Sequence, residues 1–101
     1  MEILESTIDP SSQAYRENHK RLANLVAELQ KYTAEARLGG PEKSQKRHRD
    51  QGKLFVRDRI EHLLDPHTAF LELGTLAAHG LYEGSAPGAG IVTGIGQVSG
   101  Q

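Results

Sequence analysis

The charges and glycines of this chain are distributed so unevenly that the chain divides into three parts. Residues 1–40 carry five basic and six acidic side chains, and residues 41–60 carry seven and three. Residues 61–101 carry four acidic side chains and no Lys or Arg, and eight of the eleven glycines lie between Gly74 and Gly100. A self-contained globule of 101 residues rarely separates its charge in this way. We therefore expect further protein to cover the glycine-rich last part.

The composition excludes several classes of protein. The chain has no Cys, which removes disulfides, Cys-based metal sites and thiol nucleophiles. No apolar run approaches the roughly 20 residues of a membrane span, and the first six residues lack the basic and apolar regions of a secretory signal. We expect a soluble intracellular chain without a membrane partner, located in the cytoplasm, or in the mitochondrial matrix if the host is eukaryotic.

An amphipathic helix is predicted over Pro10–Leu38 and dominates residues 1–40. Asp9 is the expected N-cap, followed by proline at the first helical position, and Gly39 provides the stop signal. The apolar stripe recurs in steps of three, four and seven residues and consists of Tyr15, Leu22, Leu25, Val26, Leu29, Tyr32 and Ala36. Such a helix either lies on a larger body or pairs in a coiled coil.

Two short helices and two strands are predicted in residues 41–101. The helices are Pro41–Lys53, capped near Gly52, and Val56–Leu64, ended by Asp65–Pro66. The strands are Phe70–Leu73 and Ile91–Val98, separated by a loop over Gly80–Gly90. The turn at Ser99–Gln101 should lead into a partner strand, yet none follows. Because an isolated pair of strands is marginal in water, we interpret the chain as truncated within a domain.

The basic cluster between Lys43 and Arg59 is the electrostatic feature with functional promise. It is either a solvated helix face or part of a site for an anionic ligand, such as a nucleotide or a coenzyme A phosphate. Nucleic acid is disfavoured because the net charge is −1 and aromatic residues are not interleaved. The five histidines lack metal-ligand spacing, so no metal site is predicted. No catalytic residue can be assigned either.

Four stretches of the second half of the chain carry a resemblance to a known family. Gly52–Pro66, followed by Phe70–Leu73, resembles the opening of the β-subunits of biotin-dependent acyl-CoA carboxylases, which are the carboxyltransferase components. Leu76–Glu83 and Gly90–Gly100 are most similar to the methylcrotonyl-CoA and geranyl-CoA carboxylase branches.

The resemblance implies a fold, an activity and partners. The fold is α/β: residues 41–101 would begin a crotonase-like domain, a superhelix of ββα units that is incomplete here, after the helical segment 1–40. The implied activity moves a carboxyl group from carboxybiotin to 3-methylcrotonyl-CoA or geranyl-CoA, although this fragment alone would be inert. Biotin would be carried by a biotin carboxylase/biotin carrier α-subunit, and further copies of the β-subunit would complete the enzyme.

The resemblance also gives candidate substrate-binding residues. Lys53, Arg57 and Arg59 lie in the matched motif and could approach the phosphates of coenzyme A, or they could pair with acids and orient their helix. The glycines that stabilise oxyanions in this family lie further along the chain, so Gly88, Gly90, Gly94 and Gly96 are given a structural role. The alternative function is a small, non-catalytic helical module that docks on a protein partner.

Overall fold

The computed structural model describes all residues, Met1–Gln101, and contains three α-helices followed by two short strands, with two short 3-10 helices, Tyr82–Gly84 and Pro87–Gly90, in the loop between the strands. The helices are α1 (Gln13–Leu38), α2 (Glu42–Asp50) and α3 (Val56–Leu63), and the strands are β1 (Leu71–Leu73) and β2 (Thr93–Ile95). The chain forms two compact units, Met1–Lys31 and Tyr32–Gln101. No helix is both long and apolar enough to cross a membrane.

Helix α1 is confirmed, but its cap differs from the prediction. The helix begins at Gln13, and the Ser12 Oγ accepts a hydrogen bond from the Tyr15 backbone N–H at 3.1 Å. Ser12 is therefore the N-cap, and the prediction that Asp9 fills this position was wrong. The Asp9 carboxylate instead accepts the backbone N–H of Ser11 at 2.9 Å in a turn before the helix. Because Asp–Pro–Ser–Ser holds two capping residue types, the sequence leaves the choice open.

The helix α2 and its end follow the sequence prediction. Gly52 has a φ of +70° and donates its N–H to the carbonyl of Arg49 at 2.8 Å, which closes the helix at a residue that needs a left-handed conformation. Helix α3 ends at Leu63, one residue before the predicted end, because Leu64 is extended at ψ 150° ahead of the Asp65–Pro66 turn.

The two strands pair antiparallel, with Leu71 opposite Ile95 and Leu73 opposite Thr93. The predicted strand Ile91–Val98 was too long, since only Thr93–Ile95 are in the ladder. A strand extends only as far as a neighbour offers hydrogen bonds, and β1 offers three residues. The structure is mainly helical and has one small ladder, as expected for part of a larger α/β domain.

Gly94 is essential to the close packing of this ladder. A Cβ on Gly94 would clash with the Phe70 ring and lie 2.6 Å from the Leu71 carbonyl oxygen. A Cβ on Gly96 would collide with the Leu64 side chain in the same way. The crowding explains why the sequence places glycines in a stretch otherwise rich in β-branched residues.

The unit Tyr32–Gln101 contains very little core. Ala36 is its buried apolar residue, and the ring of Tyr32 packs 4.4 Å from that of His79 between centroids. The ladder leucines Leu71 and Leu73 remain 60% and 50% exposed, and Ile95 63%. Large apolar side chains on both strands thus lie open on the surface.

Candidate functional site

The ion pair between Arg57 and Glu72 links helix α3 to strand β1. The Arg57 Nη1 lies 2.7 Å from Glu72 Oε2 and Nη2 lies 2.6 Å from Oε1, so the guanidinium and the carboxylate bind through two parallel hydrogen bonds. The two side chains are 28% and 10% exposed. Because two parallel hydrogen bonds join the groups, this half-buried pair fixes the orientation of α3 relative to β1 as well as the distance between them. A single hydrogen bond would fix only the distance.

The pKa shifts of Glu72 and Arg57 both favour the charged forms of the pair. The hydrogen bond from Arg57 lowers the pKa of Glu72, with a further charge effect from Arg37, while burial acts in the opposite direction. The hydrogen bond to Glu72 raises the pKa of Arg57. Both groups therefore stay charged through neutral pH.

The burial pattern of β1 shows which side of the strand this pair occupies. Glu72 is half-buried, while its neighbours Leu71 and Leu73 are exposed. Since side chains alternate across a strand, the polar residue lies on the side of Arg57 and the two leucines lie on the other. The apolar face of the ladder is thus directed away from α3.

A second cluster holds the turn between α2 and α3. The His48 Nε2 lies 2.9 Å from the Leu54 carbonyl oxygen, and its ring stacks on Phe55 at 5.4 Å between centroids with an interplanar angle of 2°. The guanidinium of Arg49 lies 4.9 Å from the centre of the same Phe55 ring. Local sequence spacing does not reveal this cluster, because the Gly52 turn separates His48 and Arg49 from Phe55 and breaks the helical repeat.

Asp65 connects the end of α3 to the turn after β2. Its Oδ1 accepts the Ser99 N–H at 2.7 Å, and its Oδ2 accepts the Gly100 N–H at 2.8 Å. The Asp65 N–H also donates to the Gln97 carbonyl at 2.9 Å. Successive backbone N–H groups directed at one carboxylate form a small anion-binding nest, which this side chain fills.

Two clefts in the unit Tyr32–Gln101 are large enough for a ligand. One, of about 700 Å³, lies between α3 and the segment 65–70. The other, of about 680 Å³, lies between the end of α1, α2, the start of α3 and the loop 85–92. Arg57 contributes to both walls. No group of three or more His, Asp or Glu side chains is arranged to hold a metal ion.

The structure does not bring the three predicted substrate-binding residues together. Arg57 lines the clefts, but Glu72 occupies both of its terminal nitrogens. Lys53 and Arg59 are exposed and line neither cleft, and their side chains make no hydrogen bond or ion pair. Contact with coenzyme A stays a prediction for all three. Chemically, the described groups hold elements in position and do not form a nucleophile–base pair.

The comparison with protein families identifies the class to which this chain belongs. Residues 47–101 match the carboxyl transferase domain, so the chain is a member of the carboxyl transferase family. The matched range contains α3, both strands, the Arg57–Glu72 pair and the Asp65 contacts.

Several relatives within the family are named as subunits of methylcrotonyl-CoA carboxylase. The chain is 52% identical, over 88 residues, to the biotin-dependent 3-methylcrotonyl-coenzyme A carboxylase beta1 subunit of Mycobacterium tuberculosis. It is 44% identical to a probable mitochondrial methylcrotonoyl-CoA carboxylase beta chain of Drosophila melanogaster and 41% identical to that of Arabidopsis thaliana, in each case over 99 residues. The family predicted from the motifs is confirmed.

The matches cover nearly all of this chain and a small part of each relative. The alignments include 87%, 97% and 98% of this chain, respectively. They include 16%, 17% and 17% of the relatives. The chain thus spans about one sixth of the length of these proteins.

Proposed function

We propose that this chain is part of the carboxyltransferase β-subunit of a biotin-dependent acyl-CoA carboxylase, with 3-methylcrotonyl-CoA as the acceptor. The single observation that carries the proposal is the 52% identity over 88 residues to a subunit named for that reaction. Geranyl-CoA is the second acceptor to consider, because the sequence motifs are similar to both branches. Residues 1–40 would form a helical segment and residues 41–101 the beginning of the carboxyltransferase domain.

The residues of this chain would act as a scaffold for the reaction. The Arg57–Glu72 pair and the Asp65 contacts fix the first helix–strand unit, on which later parts of the subunit would build. Carboxybiotin, carried by a biotin carboxylase α-subunit, would supply the carboxyl group. The residues present do not fit biotin itself, because the convergent N–H groups of Ser99 and Gly100 already bind Asp65. We therefore assign the biotin site to sequence outside this chain.

Lys53 and Arg59 are proposed to attract the phosphates of the acyl-CoA. Both side chains are exposed and free of internal partners, so they can reach an anion without breaking a contact. Arg57 is proposed instead to orient α3, since its donors are bound to Glu72. The cytoplasm, or the mitochondrial matrix in a eukaryote, would be the location.

A segment exchange tests the proposal. The 88-residue matched segment of the Mycobacterium tuberculosis beta1 subunit is replaced by the corresponding residues of this chain. With its α-subunit, biotin, ATP and bicarbonate, we expect the chimera to carboxylate 3-methylcrotonyl-CoA within about tenfold of the parent, equivalent to about 1.4 kcal/mol of transition-state stabilisation. Propionyl-CoA and geranyl-CoA are the comparison substrates.

The outcomes distinguish the proposal from its alternative. A chimera that assembles and folds but carboxylates none of the three thioesters would contradict the proposal. If the 101-residue chain also folded alone and bound a protein unrelated to carboxylases, the docking-module function would be favoured.

The phosphate contacts are tested in the same chimera. We expect Lys53→Ala with Arg59→Ala to raise KM for the acyl-CoA by about tenfold with kcat unchanged. Lys20→Ala with Lys31→Ala removes two exposed cations from α1 and is the matched control. A thioester lacking the 3′-phosphate should reduce the difference between the two pairs of substitutions. An equal KM in both pairs would show that Lys53 and Arg59 do not contact the phosphates.

A further inference from the structure

The turn that follows β2 has the geometry of a two-residue β-hairpin loop. Ser99 and Gly100 have φ values of +52° and +77°. The Val98 N–H donates to the Gln101 carbonyl at 2.9 Å, and the Gln101 N–H donates to the Val98 carbonyl at 3.1 Å. Two positive φ values between residues that exchange both hydrogen bonds define a type I′ turn, the form that matches the twist of paired strands. Gln101 therefore occupies the first position of a second hairpin arm.

One edge of β2 is used by β1 and Asp65. Backbone groups of successive residues in a strand point to opposite edges, so alternate residues share an edge. Thr93 and Ile95 end the ladder with β1. The carbonyl of Gln97, two residues further along, accepts the Asp65 N–H at 2.9 Å. The occupied edge thus extends from Thr93 to Gln97.

The opposite edge of β2 is open at two glycines. Val98 follows Gln97 and binds Gln101, so its backbone groups use this second edge. By the same alternation, Gly94 and Gly96 direct their N–H and C=O groups there. Both glycines are exposed, and neither makes a backbone hydrogen bond on this edge. Unpaired backbone groups along an exposed strand are a template for a further strand.

The turn also identifies the occupant of the open edge. Gln101 already lies opposite Val98, so a second copy of the chain or an unrelated peptide would have to displace it. Asp65 holds the turn in this position, because its carboxylate accepts the Ser99 and Gly100 N–H groups at 2.7 and 2.8 Å. The arm that begins at Gln101 is therefore directed along the open edge, and the strand that fits there is the continuation of that arm.

We propose that the open edge of β2 docks the segment that follows Gln101 in a protein of the relatives' length, as an antiparallel strand in the register set by the turn. The segment itself rests on the proposed function, whereas the edge and the register are features of the structure. The third residue after Gln101 would lie opposite Ile95. It should be apolar, since Ile95 and its ladder partner Leu71 are 63% and 60% exposed on that face.

Cysteine cross-linking in the chimeric subunit tests the register. This chain contains no Cys, and any cysteine of the relative is replaced by serine. Ile95→Cys is combined with a cysteine at the third residue after Gln101, where a cross-strand pair would have Cα atoms about 4.5 Å apart. We expect this disulfide to form at least about tenfold faster than one with the cysteine at the fourth residue, which points to the opposite face.

A turn variant tests the same docking without cysteines. Ser99→Asn provides the Asn–Gly pair that type I′ turns prefer, so we expect the Gly94 and Gly96 amides of the chimeric subunit to exchange about threefold more slowly. Ser85→Asn changes an exposed serine outside the hairpin and is the matched control. It should leave the exchange of both glycine amides unchanged.

Either measurement can overturn the proposal. It is wrong if both cysteine positions form the disulfide at equal rates, if the disulfides join two copies of the subunit, or if Ser99→Asn leaves the glycine amides unchanged. Neither measurement uses acyl-CoA or biotin, so a failure of the proposed function is detected separately. An inactive chimera with the position-specific disulfide would contradict the proposed function and support the docking, whereas an active chimera without it would overturn the docking alone.

Discussion

Arg57 and Glu72 illustrate what a single residue pair contributes to this fold. Between them they bring a helix and a strand together through two hydrogen bonds, in a region with almost no buried apolar area. Lysine retains the charge at position 57 but offers no planar fork for the carboxylate. The geometry of Arg57 therefore matters as much as its charge.

Arg57→Lys should weaken the attachment of β1 to α3. We expect a loss of about 1–2 kcal/mol of local stability, because one of two charge-assisted hydrogen bonds disappears from a half-buried site. The measurement is amide hydrogen exchange of Leu71–Leu73 in the chimeric subunit. Arg59→Lys is the control, since Arg59 is exposed and unpaired. Equal exchange in the two variants would show that the fork geometry is unimportant.

The same pair predicts a dependence on pH. The pKa of Glu72 in the folded chain lies below its ordinary value of 4.5. A carboxylate with a lowered pKa stabilises the fold above its unfolded pKa, and that stabilisation is lost as the pH falls through the folded value. We expect protection of β1 amides, corrected for intrinsic exchange, to decline below about pH 4.5. The Glu72→Gln variant should not show this decline in protection. If it shows a decline of the same size, another titrating group causes the pH dependence.

A steric prediction can be made for Gly94, where the structure leaves no room for a side chain. Gly94→Ala should cost about 2–3 kcal/mol, because the new Cβ meets the Phe70 ring and the Leu71 carbonyl. Gly40→Ala is the matched control, since its Cβ would lie 4.0 Å from the nearest side chain, that of Ser44, at an ordinary φ. We expect that control to stay within about 1 kcal/mol of the parent. Both losses are measured by denaturant unfolding of the chimeric subunit, and similar losses at the two positions would mean that the strands can move apart.

At the scale of elements, the helices were predictable and the ladder was predictable only in part. The apolar stripe of α1, the Gly52 stop and the Asp65–Pro66 break are local signals, and each appears in the structure close to its expected place. The length of β2 depends on a neighbouring strand, which local sequence cannot supply. The Arg57–Glu72 and Asp65–Gly100 contacts span 15 and 35 residues, so no spacing rule could have paired them.

A prediction for a single element concerns which residue, Ser12 or Asp9, is the N-cap of α1. In a peptide of residues 1–38, Ser12→Ala should remove the hydrogen bond to the Tyr15 N–H and destabilise the helix by about 1 kcal/mol. Asp9→Ala should lower the helicity less, because Asp9 acts in the preceding turn. Circular dichroism at 222 nm compares the two peptides. A greater loss in Asp9→Ala would restore Asp9 as the cap.

The molecule as a whole has more apolar surface than its contacts cover. Leu71, Leu73 and Ile95 on the strands are half or more exposed, as are Leu22, Leu25 and Leu29 on α1. In a protein of the relatives' length, we expect residues beyond the matched segment to cover these side chains. The family and the small sheet both agree with that interpretation.

Hydrogen exchange of the chain alone and of the chimeric subunit tests whether the rest of the subunit covers these side chains. In the chain alone, we expect the amides of Leu71–Leu73 and Thr93–Ile95 to exchange almost freely, because two short strands are marginal in water. In the chimeric subunit the same amides should be protected by at least about 100-fold more. The amides of α1 around Leu25 provide an internal reference. Full protection in the isolated chain would mean that the ladder is autonomous.

The long sequence separation of the Asp65 contacts has a consequence during synthesis. At about 5–20 residues per second, the ribosome adds Gly100 roughly 2–7 seconds after Asp65, whereas a helix forms in about a microsecond. The helices of the nascent chain can therefore be complete while the Asp65 carboxylate still lacks the backbone N–H donors of Ser99 and Gly100. Until Thr93–Ile95 have been added, Leu71–Leu73 have no strand to pair with, so the order of translation makes this ladder one of the last elements of the chain to form.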